Sequence, residues 1–495
     1  MTRVLVGQSY YLRFDAKLWQ AMQPYAPLGS LYAAAVLREA GHDVALFDAM
    51  LAHSEDDWEQ AVARHRPDVA VIFEDSFNYL SKMCLLRMRT AAFRMLDMAR
   101  RHGCVTVVCG SDATDNAGSY LDQGADYVIL GEGEVTLAAL LDHLSTARAE
   151  SPDGIAGIAF RDAAGTMVRT PRRANLVDLD VIPFPAWDLV DVEHYRRAWQ
   201  RHRRFSMNMS TTRGCPFHCN WCAKPIWGQR YAVRSAKNVV AEQEWLVTTF
   251  APGHISFVDD IFGLKPGWLR KYAELVRSRG VAVPFKCLSR ADLLLRDGEV
   301  DALREAGCET VWMGAESGSQ QVLDAMEKGT RVEQIVEAAR RLRAAGIRTG
   351  FFLQFGYPGE GPQDIEATRR LVRECRPDDI GISVSYPLPG TRFHERVRAD
   401  LREQRNWVDS DDLSMLYRGP FSTGYYRRLH GVVHKEFRLR KAAGTVAPST
   451  HLVRALRAGS REGLARARDA VTLPLDQLVL TRMQRLEQRR AAAVG

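Results

Sequence analysis

The residues best suited to chemistry lie in one short stretch, Thr212 to Cys222, where Cys215, Cys219 and Cys222 follow a C-x3-C-x2-C spacing. That spacing brings three thiolates round one small metal centre. Four thiolates would close an iron–sulfur cluster, whereas three leave one iron open to chelate a substrate or cofactor and pass it an electron. A zinc knuckle is the competing reading. Zinc wants a fourth Cys or His at finger-like spacing, and His218 sits inside the loop itself. Cys287, Cys308 and Cys375 have no companion spacing and read as small buried hydrophobes. Cys287, at a strand end, is the best placed of them to donate a hydrogen atom to a substrate.

Holding such a centre takes a scaffold, and 495 residues are too many for one ordinary domain; a length prior gives about three. Apolar content of 46% and charged content of 26% are those of a globular protein with ample core. No apolar run approaches the ~20 residues that span a bilayer, and the first residues lack a signal-peptide pattern. Nine cysteines, an odd number, argue against a disulfide framework and for a reducing cytoplasm. The net charge of +7 is unevenly placed: from residue 401 onward there are 18 Lys and Arg against 9 Asp and Glu. The basic excess therefore belongs to the tail.

Two stretches alternate apolar strands with amphipathic helices. In residues 1–145 the strand candidates are Arg3–Val6, Asp43–Phe47, Val69–Phe73, Val105–Cys109 and Tyr127–Leu130. Their near-continuous apolar runs predict burial on both faces. Five strands with four crossovers predict an α/β unit with an open, doubly wound parallel sheet, whose ligand lies beyond the carboxyl ends of the strands. Residues 146–200 predict a β-hairpin across Asp162–Gly165 and then a proline-bearing linker. Residues 201–400 repeat the pattern, with strands at Phe205–Thr211, His254–Val258, Pro284–Leu288, Thr310–Met313, Gly350–Phe355 and Ile380–Ser385. Between two of these, Val332, Ile335, Val336, Ala339 and Leu342 fall on one helical face. In a parallel barrel, catalytic groups gather at the carboxyl ends of the strands. Residues 401–495 predict a helical, Arg-rich region with aromatics at Trp407, Tyr417, Phe421, Tyr425, Tyr426 and Phe437, placed to cap the barrel mouth.

With its aromatic Trp221 before the third cysteine, the cysteine stretch resembles the hallmark of the radical SAM superfamily. The N-terminal unit resembles the cobalamin-binding domain fused to many of these enzymes, through Pro27–His42 and the run Leu130–Glu134. The resemblance covers roughly residues 1–400. It points to class B methyltransferases and to relatives of the anaerobic magnesium-protoporphyrin IX monomethyl ester cyclase. It implies a partial (β/α)6 barrel and three cofactors: a [4Fe–4S] cluster on the three cysteines, S-adenosylmethionine (SAM) and cobalamin. Cobalamin-binding roles fall on Ser111 and Thr114, in a loop suited to the nucleotide tail, and on Glu132. The D-x-H-x-x-G motif that supplies a histidine beneath cobalt is absent, which removes His ligation but not cobalamin. Asp259 and Asp260 stand where a Gly-Gly-Glu stretch binds the SAM amino group in the wider superfamily; capping of the next turn is the alternative. Arg290 suits the SAM carboxylate through its two-pronged guanidinium, or an ion pair with Asp292. Glu316, with Ser317 beside it, is placed for the ribose or amino group.

The implied reaction is methylation of an unactivated carbon, or of phosphorus, in a small metabolite. One SAM methylates reduced cobalamin, and a second yields the 5′-deoxyadenosyl radical that opens the substrate to methylcobalamin. Cofactors carry such a step because carbon–hydrogen bonds resist acid–base activation. Cobalamin-assisted oxidative cyclisation or ring rearrangement is the alternative, and a non-catalytic cobalamin or iron–sulfur protein is the third reading. A low-potential electron donor such as flavodoxin or ferredoxin is implied as partner. No nucleic-acid-binding motif is present.

Overall fold

A computed structural model describes residues 1–146, 150–222, 226–443 and 461–494. Part of the expected helical tail, 444–460 and 495, therefore lies outside the described residues.

The first sheet contains β1 (Arg3–Gly7), β2 (Asp43–Phe47), β3 (Val69–Phe73), β4 (Val105–Cys109), β5 (Tyr127–Ile129), β6 (Ile158–Arg161) and β7 (Met167–Arg169). Their order is β2-β1-β3-β4-β5-β6-β7. The first five are parallel, while β6 and β7 run antiparallel and extend the sheet beyond β5. The predicted hairpin is thus an edge of this sheet as well as a connection. Strand β3 is buried at every position, as its unbroken Val-Ala-Val-Ile-Phe run requires. Strand order reverses between β1 and β3, so the ligand crevice of such a sheet opens above those two strand ends.

Between the first and second strands of the second sheet lie the short ribbon strands β9 (Thr212–Arg213) and β10 (Ala232–Val233), which pair antiparallel and close the cysteine loop at its base. That sheet comprises β8 (Ser206–Met209), β11 (His254–Phe257), β12 (Phe285–Ser289), β13 (Cys308–Glu316), β14 (Arg348–Phe355) and β15 (Asp379–Val384). All six are parallel, in the order β15-β14-β13-β12-β11-β8. The sheet is an open partial barrel. Alternate residues Val311, Met313, Ala315, Phe351, Leu353 and Phe355 are buried in one core with helix residues Ile335, Ala338 and Leu342. The helix Val332–Ala344 buries Ile335, Ala338, Ala339 and Leu342, but Val336 is 39% exposed. Its stripe is narrower than the sequence expectation, because Val336 lies about 100° round from Ile335.

The tail begins without helix. Residues 401–422 run back across the body, and Trp407, Tyr417 and Phe421 bury their rings there. Helices Thr423–Ala443 and Arg461–Val494 follow and pack on each other.

Candidate active site at the seam of the two sheets

The cysteine loop leaves β8 through Ser210, Thr211 and Thr212, and a single carboxylate grips all three. Asp259, just past β11, accepts from the Thr211 and Thr212 amides (2.7 and 2.6 Å), from both threonine hydroxyls (2.9 Å each) and from Ser210 Oγ (3.3 Å). Burial pushes its carboxyl up to about 6 against those donors. Both Asp259 oxygens are thus engaged in anchoring the loop. Asp260, next along, reaches the other domain and pairs with Lys82 Nζ at 2.6 Å.

Arg213, two residues before Cys215, is fully enclosed. Glu132 and Glu134, in the segment after β5, both take its guanidinium, the Glu134 contact being 2.8 Å. The rings of Tyr32 and Phe77 lie against its charge. Glu132 also accepts from the Leu176 amide at 2.7 Å. At the loop's far end Arg234 pairs with buried Glu242 and donates to the Ser210 carbonyl (2.8 Å) and to Tyr32 Oη (3.3 Å). Gly214 takes a φ of +80°, and a Cβ there would stand 2.3 Å from the Arg230 carbonyl oxygen, so the entry turn requires glycine.

Cys219 is buried, while Cys215 and Cys222 are half-buried. Arg290 Nη1 lies 3.8 Å from Cys219 Sγ, its guanidinium stacks 3.7 Å above Phe217, and its other nitrogens hold Asp292 (2.9 Å) and the Lys328 carbonyl (2.9 Å). Glu316, in a left-handed conformation (φ 57°), pairs with buried Lys328 at 2.8 Å. Burial opposes the Lys328 charge, but Glu316 and Cys219 hold its pKa above the ordinary value. Ser317 Oγ meets Thr368 Oγ1 at 3.0 Å and caps the Ser319 amide, so it secures the turn. Trp221 keeps a buried indole N–H without a partner. Among the described residues no three Cys, His, Asp or Glu side chains close round one point. The donor set fits a cluster: three cysteine side chains within one gripped loop, with Arg290 and Lys328 beside Cys219. Cys287 packs with Cys308 and Tyr272 on the helix-facing side of the sheet, away from this loop.

The crevice of the first sheet opens toward the same loop. Glu74, past β3, accepts from Ser9 past β1, through both the amide (3.3 Å) and the hydroxyl. Burial pushes Glu74 up to about 7. Ser111 Oγ, Gln8 Nε2 and Ser81 Oγ are buried without partners at these strand ends. A group rich in amides and phosphate, as cobalamin is, would answer them. Thr114 Oγ1 instead accepts from the Gly131 amide (3.1 Å) and donates to the Gly110 carbonyl (2.8 Å). Tyr79, on the helix Tyr79–Lys82 after β3, keeps 59% of its surface open, yet its hydroxyl lies in the field of Glu316 and Cys222.

Sequence reasoning missed Arg213, Arg234, Lys328, Tyr79 and Lys82. Of these only Arg213 carried a local signal, its position beside the Gly-Cys turn. The others act through partners far along the chain.

Comparison with known proteins adds to this geometry. Residues 20–141 match the B12 binding domain, and residues 209–372 match the Radical SAM superfamily. The chain carries a radical SAM domain behind a B12 binding domain. A [4Fe–4S] cluster and SAM go with the first, and cobalamin goes with the second. The chain is 30% identical over 285 residues to an uncharacterized methyltransferase of Pyrococcus horikoshii, covering 57% of this chain and 60% of the relative. It is 27% identical to the anaerobic magnesium-protoporphyrin IX monomethyl ester cyclase of Rubrivivax gelatinosus (74% of this chain, 65% of the relative). It is 29% identical to the hopanoid C-3 methylase of Methylococcus capsulatus (75% and 69%). The matches thus span under two thirds of the first two relatives. The fold matches the cobalamin-dependent S-adenosylmethionine radical enzyme OxsB with a TM-score of 0.70, at 17% identity, over 98% of this chain and 75% of that one. No helix among the described residues is long and apolar enough to cross a membrane.

Proposed function

We propose that this protein is a cobalamin-dependent radical SAM methyltransferase that methylates an unactivated carbon, or phosphorus, of a small metabolite. The observation that carries the reading is the shared cleft. The segment after β3, at the crevice of the B12 binding domain, sets Tyr79 in the field of Cys222 and Glu316 and pairs Lys82 with Asp260 at 2.6 Å. One substrate in that cleft would meet both cofactors. Names of relatives support methyl transfer, and the cyclase relative supports the second reading, cyclisation without methyl transfer.

In this reading residues 1–145 hold cobalamin, with Ser111 and Gln8 meeting its polar periphery. Residues 201–400 hold the cluster and SAM, and 401–495 shape the substrate pocket. Bound together, the cofactors supply a carbon radical and a transferable methyl group. The chain's own residues position them. Arg290 and Lys328 set positive charge beside Cys219, Glu316 stands at the end of β13, and Asp259 fixes the root of the loop. Electrons come from a low-potential donor of the flavodoxin or ferredoxin kind, in a reducing cytoplasm.

The test is an anaerobic assay of cluster-loaded protein with reductant, cobalamin, methyl-deuterated SAM and an extract of small metabolites. Cobalamin-dependent label in a product, with both 5′-deoxyadenosine and S-adenosylhomocysteine, is the expected result. Deoxyadenosine with an altered but unlabelled product would transfer the assignment to cyclisation.

A further inference from the structure

The last helix, Arg461–Val494, leaves a row of large apolar side chains exposed on its outer face. Leu464, Val471, Leu475, Leu478 and Leu486 are 54, 79, 64, 70 and 46% exposed. Their spacing sets all five within an arc of about 80°, along about 33 Å of helix. Arg468, Arg482, Arg485 and Arg489 are exposed on or beside the same stripe. The helix's described acids turn the other way. Asp469 pairs with Arg438 (2.7 Å), Asp476 with Arg428 and Lys435 (2.7 and 2.5 Å), and Glu487 accepts from the Ser422 amide (2.6 Å). All four partners lie on the inner helix or at its start. The exposed face therefore combines an apolar ridge with cations and, among the described side chains, no carboxylate.

We propose that this face docks on the surface of an anionic lipid bilayer. Charge decides among the occupants. A second copy would set like-charged arginines against one another across the seam. A nucleic-acid backbone would satisfy the arginines but leave five large apolar side chains in water. A bilayer interface takes both: acyl chains receive the leucines, and anionic headgroups receive the guanidiniums. The arginines suit this depth because their stems lie along apolar surface while their heads stay at the phosphates. The absence of a spanning helix among the described residues agrees with a protein that lies on the surface. The contact would bring the barrel to membrane-held substrates without entering the site itself.

The experiment is vesicle flotation of the full-length protein, with cobalamin uptake and circular dichroism as controls for folding. Vesicles of phosphatidylcholine alone are compared with vesicles that also contain phosphatidylglycerol, at low and high ionic strength. Binding only to the anionic vesicles, weakened by salt, is expected. The double variant Leu475→Asp with Leu478→Asp should lose about tenfold or more in vesicle affinity while cobalamin uptake is unchanged. Arg482→Gln with Arg485→Gln should weaken binding to anionic vesicles and abolish its salt dependence in part. Equal binding by wild type and the aspartate variant would overturn the proposal. So would failure of the wild type to float, whether an acidic protein or a dimer detected by sedimentation proved to cover the face instead.

Discussion

At the scale of single residues, function concentrates where charge is buried round the cysteine loop. Cys219→Ala should abolish cluster absorbance and 5′-deoxyadenosine formation while cobalamin binding persists, because the cobalamin crevice is built on the other sheet. Spectra of reconstituted protein titrated with cobalamin check both halves. Arg213 and its two carboxylates give a sharper test. Removing a buried negative charge beside a cluster eases its reduction, and removing a positive charge opposes it. Glu132→Gln should therefore raise the cluster potential and Arg213→Gln lower it, as followed by redox titration with electron paramagnetic resonance. Mere loosening of the loop would move both the same way. The cysteines themselves were legible in the sequence because their chemistry is local, three ligands within eight residues. Asp259 was legible as important but not in its actual contacts. Whether a carboxylate meets a cofactor or five protein donors depends on Thr211 and Thr212, brought near only by the pairing of β8 with β11.

Elements were the most readable level. Every proposed strand of both sheets is present. In the first sheet β3 is an unbroken apolar run, as a strand buried on both faces requires, whereas β8, β12 and β15 of the second sheet interleave Ser, Asn, Lys and Asp with their apolar residues. What patterning could not show is where strands make room for one another. Gly350, on β14, would set a Cβ 2.5 Å from the Trp312 indole on β13. Gly350→Ala should cost about 1–3 kcal/mol, measured by denaturant unfolding. The loop after β14 holds a second hidden feature. Glu360 is buried, accepts from the Gly356 amide (2.7 Å) and from Tyr426 of the tail (3.2 Å), and leaves Oε1 without a partner. Burial raises its carboxyl from the ordinary 4.5 to about 8. The folded state then holds a proton that the unfolded chain releases. Its contribution is complete below 4.5 and is lost as pH rises through about 8. Glu360→Gln, neutral throughout, should flatten the fall in melting temperature across that interval. An unchanged pH profile would show that the carboxyl is already ionised when folded.

For the whole molecule, the two domains meet through buried charge rather than through a flexible linker alone. Arg213 spans the seam to Glu132 and Glu134, and Lys82 spans it to Asp260. Ligands of the first domain should therefore stabilise the protein as one unit. Cobalamin at a hundredfold excess over its Kd should add about 2.7 kcal/mol, visible as a single unfolding transition that moves to higher temperature. Two separate transitions, with only one responding, would show that the seam does not couple them. Domain order and the basic tail were legible from composition and spacing. The path of residues 401–422 was not, since no period marks an irregular segment whose route is set by distant contacts such as Ser410 with Asp15 and Trp407 with Leu86.

That path also orders events during synthesis. The Leu86 and Arg87 amides donate to the Trp407 and Val408 carbonyls, and Asp15 accepts from Ser410 across 395 positions. A domain begun at the first residues thus cannot finish its own surface until residues 407–410 have left the ribosome. Contacts of such span close slowly. The nascent chain presents its cysteine loop before the clasp over the first domain can form, leaving an interval in which that loop is available for cluster delivery.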